Sequence, residues 1–325
     1  MNTTTKYLGL TLKNPIIVGS STLTSNVESI VKCAKAGAGA VVLKSLFEEQ
    51  IALEIKQENA NSQTYLDYPE AQEYLQTYYR GNEIEMYTKL IAAAKEAVDI
   101  PIIASINCTD DKEWTSIAKE FEKAGADAIE LNISVPAFNT EVTSEEIENL
   151  YITTLTKVKK EVKIPIAVKI GDHFTNIMWI VKSLFTYGAD GIVLFNRYYN
   201  PDIDINNLKV IAGNSMSHRE ENAKAMRWIG LLRNNDVKAD LCANTGIHEG
   251  NDVVKMILAG ATAVQICSTL YANGINHITK VISDLEAWMQ QHHFESLEQY
   301  RGSILNKEEN ALVLERLQYL RRNAE

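Results

Sequence analysis

The sequence predicts an α/β fold, a closed (β/α)8 barrel of the TIM type that spans residues 1–325 as one domain. Two observations carry this prediction. Apolar runs typical of parallel strands alternate with amphipathic helices, and two kinds of strand entry, interleaved along the chain, add up to eight strands. A length of 325 residues with 46% hydrophobic and 23% charged residues suits one large globular domain of this kind.

The eight predicted strands fall into two sets. Strands of the first set follow a helix that ends in glycine, which supplies the left-handed conformation that closes a helix. These segments are residues 35–44, 123–132, 187–196 and 259–267. Strands of the second set are entered through a polar residue, often followed by proline. They are residues 14–20, 100–107, 164–169 and, with a weaker pattern, 240–245.

Amphipathic helices are predicted between most strands, and two connections are longer than a barrel requires. The long connections, about 47–100 and 198–238, are expected to cover the C-terminal face of the barrel, and the second contains a small hairpin near 208–211. The predicted helices between strands are residues 113–123, 145–162 and 251–258. Two further helices, 278–291 and 307–322, are expected to pack outside the barrel.

Charge and composition exclude several classes of function. A formal net charge of -10 argues against nonspecific binding to nucleic acid or to anionic membranes. Neither a signal-peptide core nor a run of about 18 apolar residues is present, so a cytoplasmic protein with no membrane contact is expected. The cysteines have neither metal-ligand nor disulfide-scaffold spacing, so reduced thiols and no metal site are predicted. They are Cys33, Cys108, Cys242 and Cys267.

Polar residues end the predicted strands at the C-terminal edge, where barrels of this type hold catalytic and cofactor groups. Side-chain alternation places Lys44 and Lys169 toward the barrel axis, on the face that Glu130 shares with Asn132. A buried carboxylate needs cationic partners, and the two lysines fit this role. One such lysine could be purely structural, whereas the whole ring favours a functional site. The ring comprises Ser20, Ser21, Lys44, Ser45, Asn107, Asn132, Ser134, Lys169, Asn196, Arg197, Asn244, Thr245, Gly246, Cys267 and Ser268.

The turns after the last two strands, 244–247 and 267–269, are predicted to bind phosphate. Turn amides and the start of the following helix offer donors and positive potential at this point of a barrel. Ordinary capping of that helix by Ser268 and Thr269 is the alternative interpretation.

Several short motifs, weak singly but specific in their order and spacing, identify a family. They are Asn14-Pro15 with Gly19-Ser20, Lys44-Ser45, residues 130–134, Val168-Lys169, and residues 195–198, 245–247 and 265–268. In these motifs residues 7–290 resemble the dihydroorotate dehydrogenases, FMN-dependent barrel flavoenzymes of pyrimidine synthesis. The resemblance is closer still to a bacterial branch known as dihydroorotate-dehydrogenase-like proteins.

The resemblance implies FMN as the cofactor, a small carboxylated substrate and a homodimer. A lysine beside the flavin is physically sensible, because a fixed cation stabilises the negative charge that reduction adds. Arg197, which replaces a small hydroxyl residue of the family, is expected to hold a carboxylate through two hydrogen bonds. The implied flavin contacts are Gly19, Ser20, Lys44, Ser45, Asn132 and Lys169, with Thr245, Gly246, Cys267 and Ser268 at the phosphate. The implied substrate contacts are Lys44, Asn132, Asn196 and Arg197.

The chain departs from the family pattern where the proton acceptor belongs. The family places a cysteine or serine directly before the proline of the turn, and here that position is Val135. Valine cannot accept a proton, and loss of a positioned base typically costs about 10² to 10⁴ in rate. The family's Asn-Ser-Met-Gly-type substrate loop is also replaced, by residues 63–70, and Ala137 stands where an asparagine is expected. Candidate substitute bases, each with a structural alternative, are Ser134, Cys108 and His173.

Three hypotheses about function stay open. The first is an FMN oxidoreductase that resembles dihydroorotate dehydrogenase, with weak or altered activity, or that acts on another small unsaturated acid. Fumarate or a soluble carrier is then the expected electron acceptor, because no hydrophobic N-terminal extension suggests a membrane quinone. The second is a noncatalytic FMN-binding protein, and the third is a flavin-free barrel that binds a sugar phosphate.

Overall fold

A computed structural model describes residues 1–47, 69–107, 113–135, 138, 140–198 and 200–316 of the chain. The strands are β1 (Thr5–Tyr7), β2 (Leu10–Leu12), β3 (Ile16–Val18), β4 (Ala40–Val42), β5 (Leu46–Phe47), β6 (Ile102–Asn107), β7 (Ala128–Asn132), β8 (Ile166–Ile170), β9 (Gly191–Leu194), β10 (Pro201–Asp204), β11 (Lys209–Ala212), β12 (Asp240–Ala243) and β13 (Ala263–Ile266). The helices are α1 (Val27–Lys35), α2 (Pro69–Ala97), α3 (Glu113–Lys123), α4 (Ser144–Glu161), α5 (Ile177–Thr186), α6 (Asn222–Asn234), α7 (Gly250–Ala259), α8 (Ser268–Asn273), α9 (His277–Gln291) and α10 (Glu308–Glu315).

Eight parallel strands close into a barrel, which confirms the predicted fold. Around the ring the order is β3, β4, β6, β7, β8, β9, β12 and β13, and β13 pairs with β3 to complete it. The short strand β5 extends the edge beside β6. Helices follow most of the strands and cover the outer face, as parallel sheets require.

Glycine ends the helix before four of the barrel strands, as the sequence predicts. Gly37, Gly125, Gly188 and Gly260 all have φ between 96° and 108°. In this left-handed region a side chain would be strained, so these positions fix where each helix stops and the next strand begins.

Side-chain alternation divides the barrel into two apolar layers. Val42, Ala128 and Ala167 belong to a small cluster inside the barrel, whereas Ile129 and Leu131 pack outward against the helices. Glu130 and Lys169, one step of two residues further along their strands, therefore also face the axis, as predicted.

The N-terminal hairpin, formed by β1 and β2, closes the end of the barrel opposite the C-terminal ends of the strands. Tyr7, Leu8 and Leu12 belong to the inner cluster, and the Leu8 N–H donates to Asp240 Oδ2 at 2.7 Å. With one end filled by this hairpin, a guest can enter the barrel axis at the C-terminal end of the strands.

The long second connection contains the expected hairpin. β10 and β11 pair antiparallel, with Ile203 opposite Val210, and both side chains are largely exposed. In the first long connection α2 is described, whereas residues 48–68, including most of the replaced substrate loop, lie outside the described part. Both predicted outer helices are present, although α10 ends at Glu315, before the predicted limit of 322.

Within the described ranges, no helix is both long and apolar enough to cross a bilayer. The same ranges contain no group of three or more His, Cys, Asp or Glu side chains arranged to hold a metal ion.

Candidate functional site

A buried group of three polar side chains lies at the C-terminal end of the barrel axis. Lys169 Nζ is 3.5 Å from Glu130 Oε1, and the two side chains are 9% and 1% exposed. Gln265 on β13 connects them: its Nε2 donates to Glu130 Oε2 at 2.5 Å, and its Oε1 accepts from Lys169 at 3.3 Å. The predicted cationic partner of Glu130 is therefore confirmed as Lys169.

Lys44 does not join this group. Its side chain is half-buried at the end of β4, and among the described residues it forms no ion pair. Its backbone N–H donates to the Thr24 carbonyl at 3.4 Å. Of the two lysines expected beside Glu130, only Lys169 is in contact among the described residues; it lies within β8, whereas Lys44 follows the last residue of β4 by two positions.

Two asparagines at the ends of β7 and β9, the strands that flank β8, are in direct contact. Asn196 Nδ2 donates to Asn132 Oδ1 at 2.9 Å, and the Asn196 backbone N–H donates to the Ile170 carbonyl at 2.8 Å. Each amide keeps free donor or acceptor capacity, so the pair can bind a polar guest without first breaking up.

A row of three serine hydroxyls lies on the other side of the axis. The hydroxyls of Ser20 and Ser45 are 3.1 Å apart, and those of Ser45 and Ser105 are 2.7 Å apart. Tyr87 anchors the row, because its buried hydroxyl accepts from the Ser105 N–H at 3.0 Å and donates to the Ser105 carbonyl at 3.2 Å. Ser105 was not among the predicted site residues, since a serine inside an apolar strand gives only a weak signal.

A cavity of about 230 Å³ opens at this end of the barrel. Most of the predicted cofactor contacts line it, while Lys44, Ser45 and Asn132 do not. Its lining comprises Gly19, Ser20, Lys169, Asn196, Arg197, Ser215, Ser217, Asn244, Thr245, Gly246, Ile247, Gln265, Cys267 and Ser268. Sequence reasoning missed Ser215, Ser217 and Gln265; Gln265 was detectable as a polar residue within an apolar strand, as Glu130 was.

The two predicted phosphate turns are joined by Ser217 from the long second connection. The Ser217 N–H donates to Ser268 Oγ at 2.9 Å, and the Gly246 N–H donates to Ser217 Oγ at 3.3 Å. Thr245 and Gly246 both have positive φ, 78° and 73°, which turns their backbone toward the cavity edge. Helix α8 has Cys267 at its N-cap, whose side chain makes no capping bond, and Ser268 is the first residue of the helix.

Arg197 lines the cavity but already uses much of its guanidinium. Its Nε donates to Glu221 Oε2 at 2.8 Å, and one Nη donates to the carbonyls of Asn214 and Ser215 at 3.1 and 3.2 Å. Burial opposes ionisation of Glu221, but hydrogen bonds from Arg197 and the His218 N–H outweigh it and lower the pKa of Glu221. The ion pair is thus stable at neutral pH, and the guanidinium edge needed for a two-bond carboxylate clamp is occupied.

None of the described candidate bases, Ser134 after β7 and His173 after β8, lines the cavity. Val135 is half-buried and packs against the outer apolar cluster. Ser134 lies on the axial side near the Tyr198 phenol, whose pKa is raised by burial and partly restored by hydroxyl neighbours. His173 stacks on Phe174 with a 4.8 Å separation between ring centroids. Cys108, Pro136 and Ala137 lie outside the described residues.

A barrel with one closed end and an amide-rich, lysine-containing cavity at its strand ends has the design of an enzyme that binds a phosphate-bearing cofactor. Comparison with known proteins makes this more specific. Residues 2–289 match the family described as dihydroorotate dehydrogenase. The chain is 31% identical to the dihydroorotate dehydrogenase B (NAD(+)) catalytic subunit of Methanocaldococcus jannaschii, over 88% of this chain and 93% of that protein.

Other relatives cover similar shares. The corresponding catalytic subunit of Thermoplasma volcanium is 28% identical over 93% of this chain and 98% of its own length. A dihydroorotate dehydrogenase A (fumarate) of Lactobacillus helveticus is 27% identical over 94% and 99%. The chain therefore belongs to the dihydroorotate dehydrogenase family, whose members are FMN-dependent oxidoreductases.

The residues of the cavity fit FMN. Lys169 has three N–H donors, of which Gln265 takes one, so donors are left for an electron-rich ring edge. Gly19 lies directly beside this group, because a Cβ built on it would be 3.4 Å from Gln265 Oε1. The turns of Thr245, Gly246 and Ser268 supply hydroxyl and amide groups suited to a phosphate.

Proposed function

We propose that this protein is an FMN-dependent oxidoreductase that acts on a CH–CH bond of a small carboxylated substrate, dihydroorotate or a related unsaturated acid. The observation that carries the proposal is the cavity floor, where Lys169 is held by Glu130 and Gln265 beside the Asn132–Asn196 pair. We further propose that turnover of dihydroorotate is weak, because Val135 occupies the position of the family's base.

When bound, FMN supplies the hydride acceptor or donor. Lys169 would stabilise negative charge at the edge of the guest, and its burial strengthens this effect because little water screens it. The amides of Asn132 and Asn196 would orient polar groups of the substrate by hydrogen bonds. Arg197 would add positive charge, through the one Nη without a bond to a described residue, beside its ion pair with Glu221.

Proton transfer is the step that this chain supports poorly. The side chain of Val135 has no acceptor, and neither Ser134 nor His173 lines the cavity. This arrangement favours the alternative that the enzyme acts on a different small acid, for which a proton is exchanged with another group or with water.

Flavin content is the first test of the proposal. Protein purified or reconstituted with FMN should be yellow and show the absorption bands of a bound flavin. A protein that stays colourless after reconstitution would contradict FMN binding and favour a sugar-phosphate barrel.

Anaerobic stopped-flow mixing with dihydroorotate tests the substrate. The flavin should bleach at least about 10²-fold more slowly than in the Lactobacillus helveticus relative measured in parallel. Equal rates would contradict the role given to Val135. Bleaching by another unsaturated or saturated acid would identify the substrate, and reduction by dithionite alone would identify a noncatalytic FMN protein.

The variants V135C and V135A form a matched pair for the same assay. Both remove the valine, and only cysteine restores a proton acceptor, so only V135C should raise the bleaching rate. An equal increase in both would mean that space, not a base, limits the reaction.

The assembly and location of the protein are part of the same proposal. From family resemblance we propose a homodimer in the cytoplasm, with a soluble electron acceptor. Sedimentation velocity should give a species of twice the 36.4 kDa chain mass.

A further inference from the structure

Glu130 is a charged side chain in an environment where a buried charge is energetically unfavourable. It lies in the middle of β7, is 1% exposed, and faces the barrel axis above the apolar layer formed by Ala128, Ala167 and Cys242. A carboxylate in such surroundings costs several kcal/mol unless it is paired and hydrogen-bonded. Its place directly below the cavity suggests a role connected with that cavity, and its contacts define this role.

The contacts of Glu130 are asymmetric. Oε2 accepts a 2.5 Å hydrogen bond from Gln265, whereas Oε1 has no hydrogen-bond partner among the described residues and faces Lys169 Nζ at 3.5 Å. At this distance the ammonium is attracted by the charge without donating to the carboxylate. The N–H groups that do not donate to Gln265 therefore stay available to the cavity, while the position of the ammonium is fixed from below.

The other acidic groups beside Glu130 inside the barrel, Cys242 and Tyr7, carry no charge at neutral pH. Burial raises the pKa of the Cys242 thiol, and the Glu130 carboxylate raises it further. Burial also raises the pKa of the Tyr7 phenol well above its usual value, with Cys242 and Glu130 as smaller causes. Both groups are neutral at pH 7, so the charge of Lys169 is balanced here by Glu130.

We propose that Glu130 is a positioning residue for Lys169 that also sets the reduction potential of the flavin. Through Gln265 and the 3.5 Å ion pair, it holds the ammonium at the cavity floor and compensates part of its positive charge. Flavin reduction adds negative charge, which the ammonium attracts and the carboxylate behind it repels. Glu130 therefore makes the bound flavin harder to reduce than Lys169 alone would, and this inference rests on the proposed binding of FMN.

The test is the potential of the FMN-loaded E130Q variant, measured by equilibration with a reference dye under anaerobic conditions. Glutamine keeps the shape and can still accept from Gln265, but it removes the charge. The equilibrium constant for two-electron reduction should rise at least tenfold, which corresponds to about 30 mV. A change of less than twofold would overturn the proposal, and so would an E130Q protein that folds but holds no FMN.

Two further variants keep the result interpretable. D240N removes a half-buried carboxylate at the opposite end of the barrel, where Asp240 accepts from the Leu8 N–H, and should change the constant less than twofold. E130D keeps the charge but withdraws it from Lys169, so the constant should rise less than in E130Q. If E130Q does not fold, an unchanged potential in E130D overturns the proposal.

Failure of this inference can be told from failure of the proposed function. Wild-type protein that binds no FMN would overturn both. Yellow wild-type protein, together with an E130Q variant of unchanged potential, would overturn only the role of Glu130.

Discussion

Replacement of Lys169 by methionine tests the buried charge pair through stability, independently of any cofactor. The variant K169M fills a similar volume but leaves the Glu130 carboxylate without a counter-charge. At a separation of 3.5 Å the lost attraction is roughly 5 kcal/mol for an effective dielectric constant of about 20. Breaking a buried pair on one side typically costs about 3–5 kcal/mol, so we expect a loss in this range.

The assay is urea unfolding of protein stripped of FMN, because a bound ligand would add its own stabilisation. The double variant K169M/E130Q removes both charges and should recover much of the loss, since no buried ion is left unpaired. A loss below about 1 kcal/mol, or additive effects in the double variant, would refute the reasoning.

Three further predictions concern the cavity wall and its support. G246A should weaken FMN binding at least tenfold, because a Cβ there would have positive φ and lie 2.4 Å from a backbone nitrogen. Bound FMN should protect Cys267, which lines the cavity, from iodoacetamide at pH 8. Cys33 should not react in either state, because burial raises its pKa to about 11 and keeps it a thiol. Y87F should destabilise the protein by about 1–3 kcal/mol, because a buried backbone N–H loses its acceptor.

Matched variants separate these effects from general damage. G274A also introduces a side chain at positive φ, 81°, but its Cβ would meet no described residue within 4 Å, so FMN affinity should be unchanged. Y271F removes the hydroxyl of a residue that is 40% exposed, where the Thr22 N–H that donates to it at 3.1 Å is also exposed, so this variant should cost less than Y87F in the same urea titration. Equal losses of FMN affinity in G246A and G274A, or equal losses of stability in Y87F and Y271F, would contradict the corresponding interpretation. So would labelling of Cys267 at the same rate with and without FMN.

Local sequence patterns were sufficient to predict the barrel and much of the polar edge at the C-terminal ends of its strands. Glycine before an apolar run marked four helix ends, and strand alternation placed Glu130, Asn132 and Lys169 on the axial face. Both signals are local, because a left-handed cap and a two-residue period follow from the chain near each position.

Partners distant in sequence could not be read in the same way. Gln265 lies 135 residues from Glu130, and Ser217 joins two turns from within a long connection. Arg197 looked like a free carboxylate clamp because Glu221, its partner, follows 24 residues later in an irregular segment. Such contacts depend on how the barrel closes and how the loop returns, which neither propensity nor spacing determines.

The position of Val135 bears on the proposal that this chain binds FMN and turns over dihydroorotate weakly. The groups that would hold FMN stand on barrel strands and on the turns after β12 and β13. The family's proton acceptor stands instead on the turn after β7, where Val135 contacts the outer core and not the cavity. The groups that would hold FMN and the position of the family's base thus lie on separate elements. Substitutions in the turn after β7 can therefore remove the base while the Lys169–Glu130–Gln265 group stays intact. Flavin binding and dihydroorotate turnover should therefore be separable in this chain, and the measured bleaching rate, not the presence of flavin, decides whether dihydroorotate is its substrate.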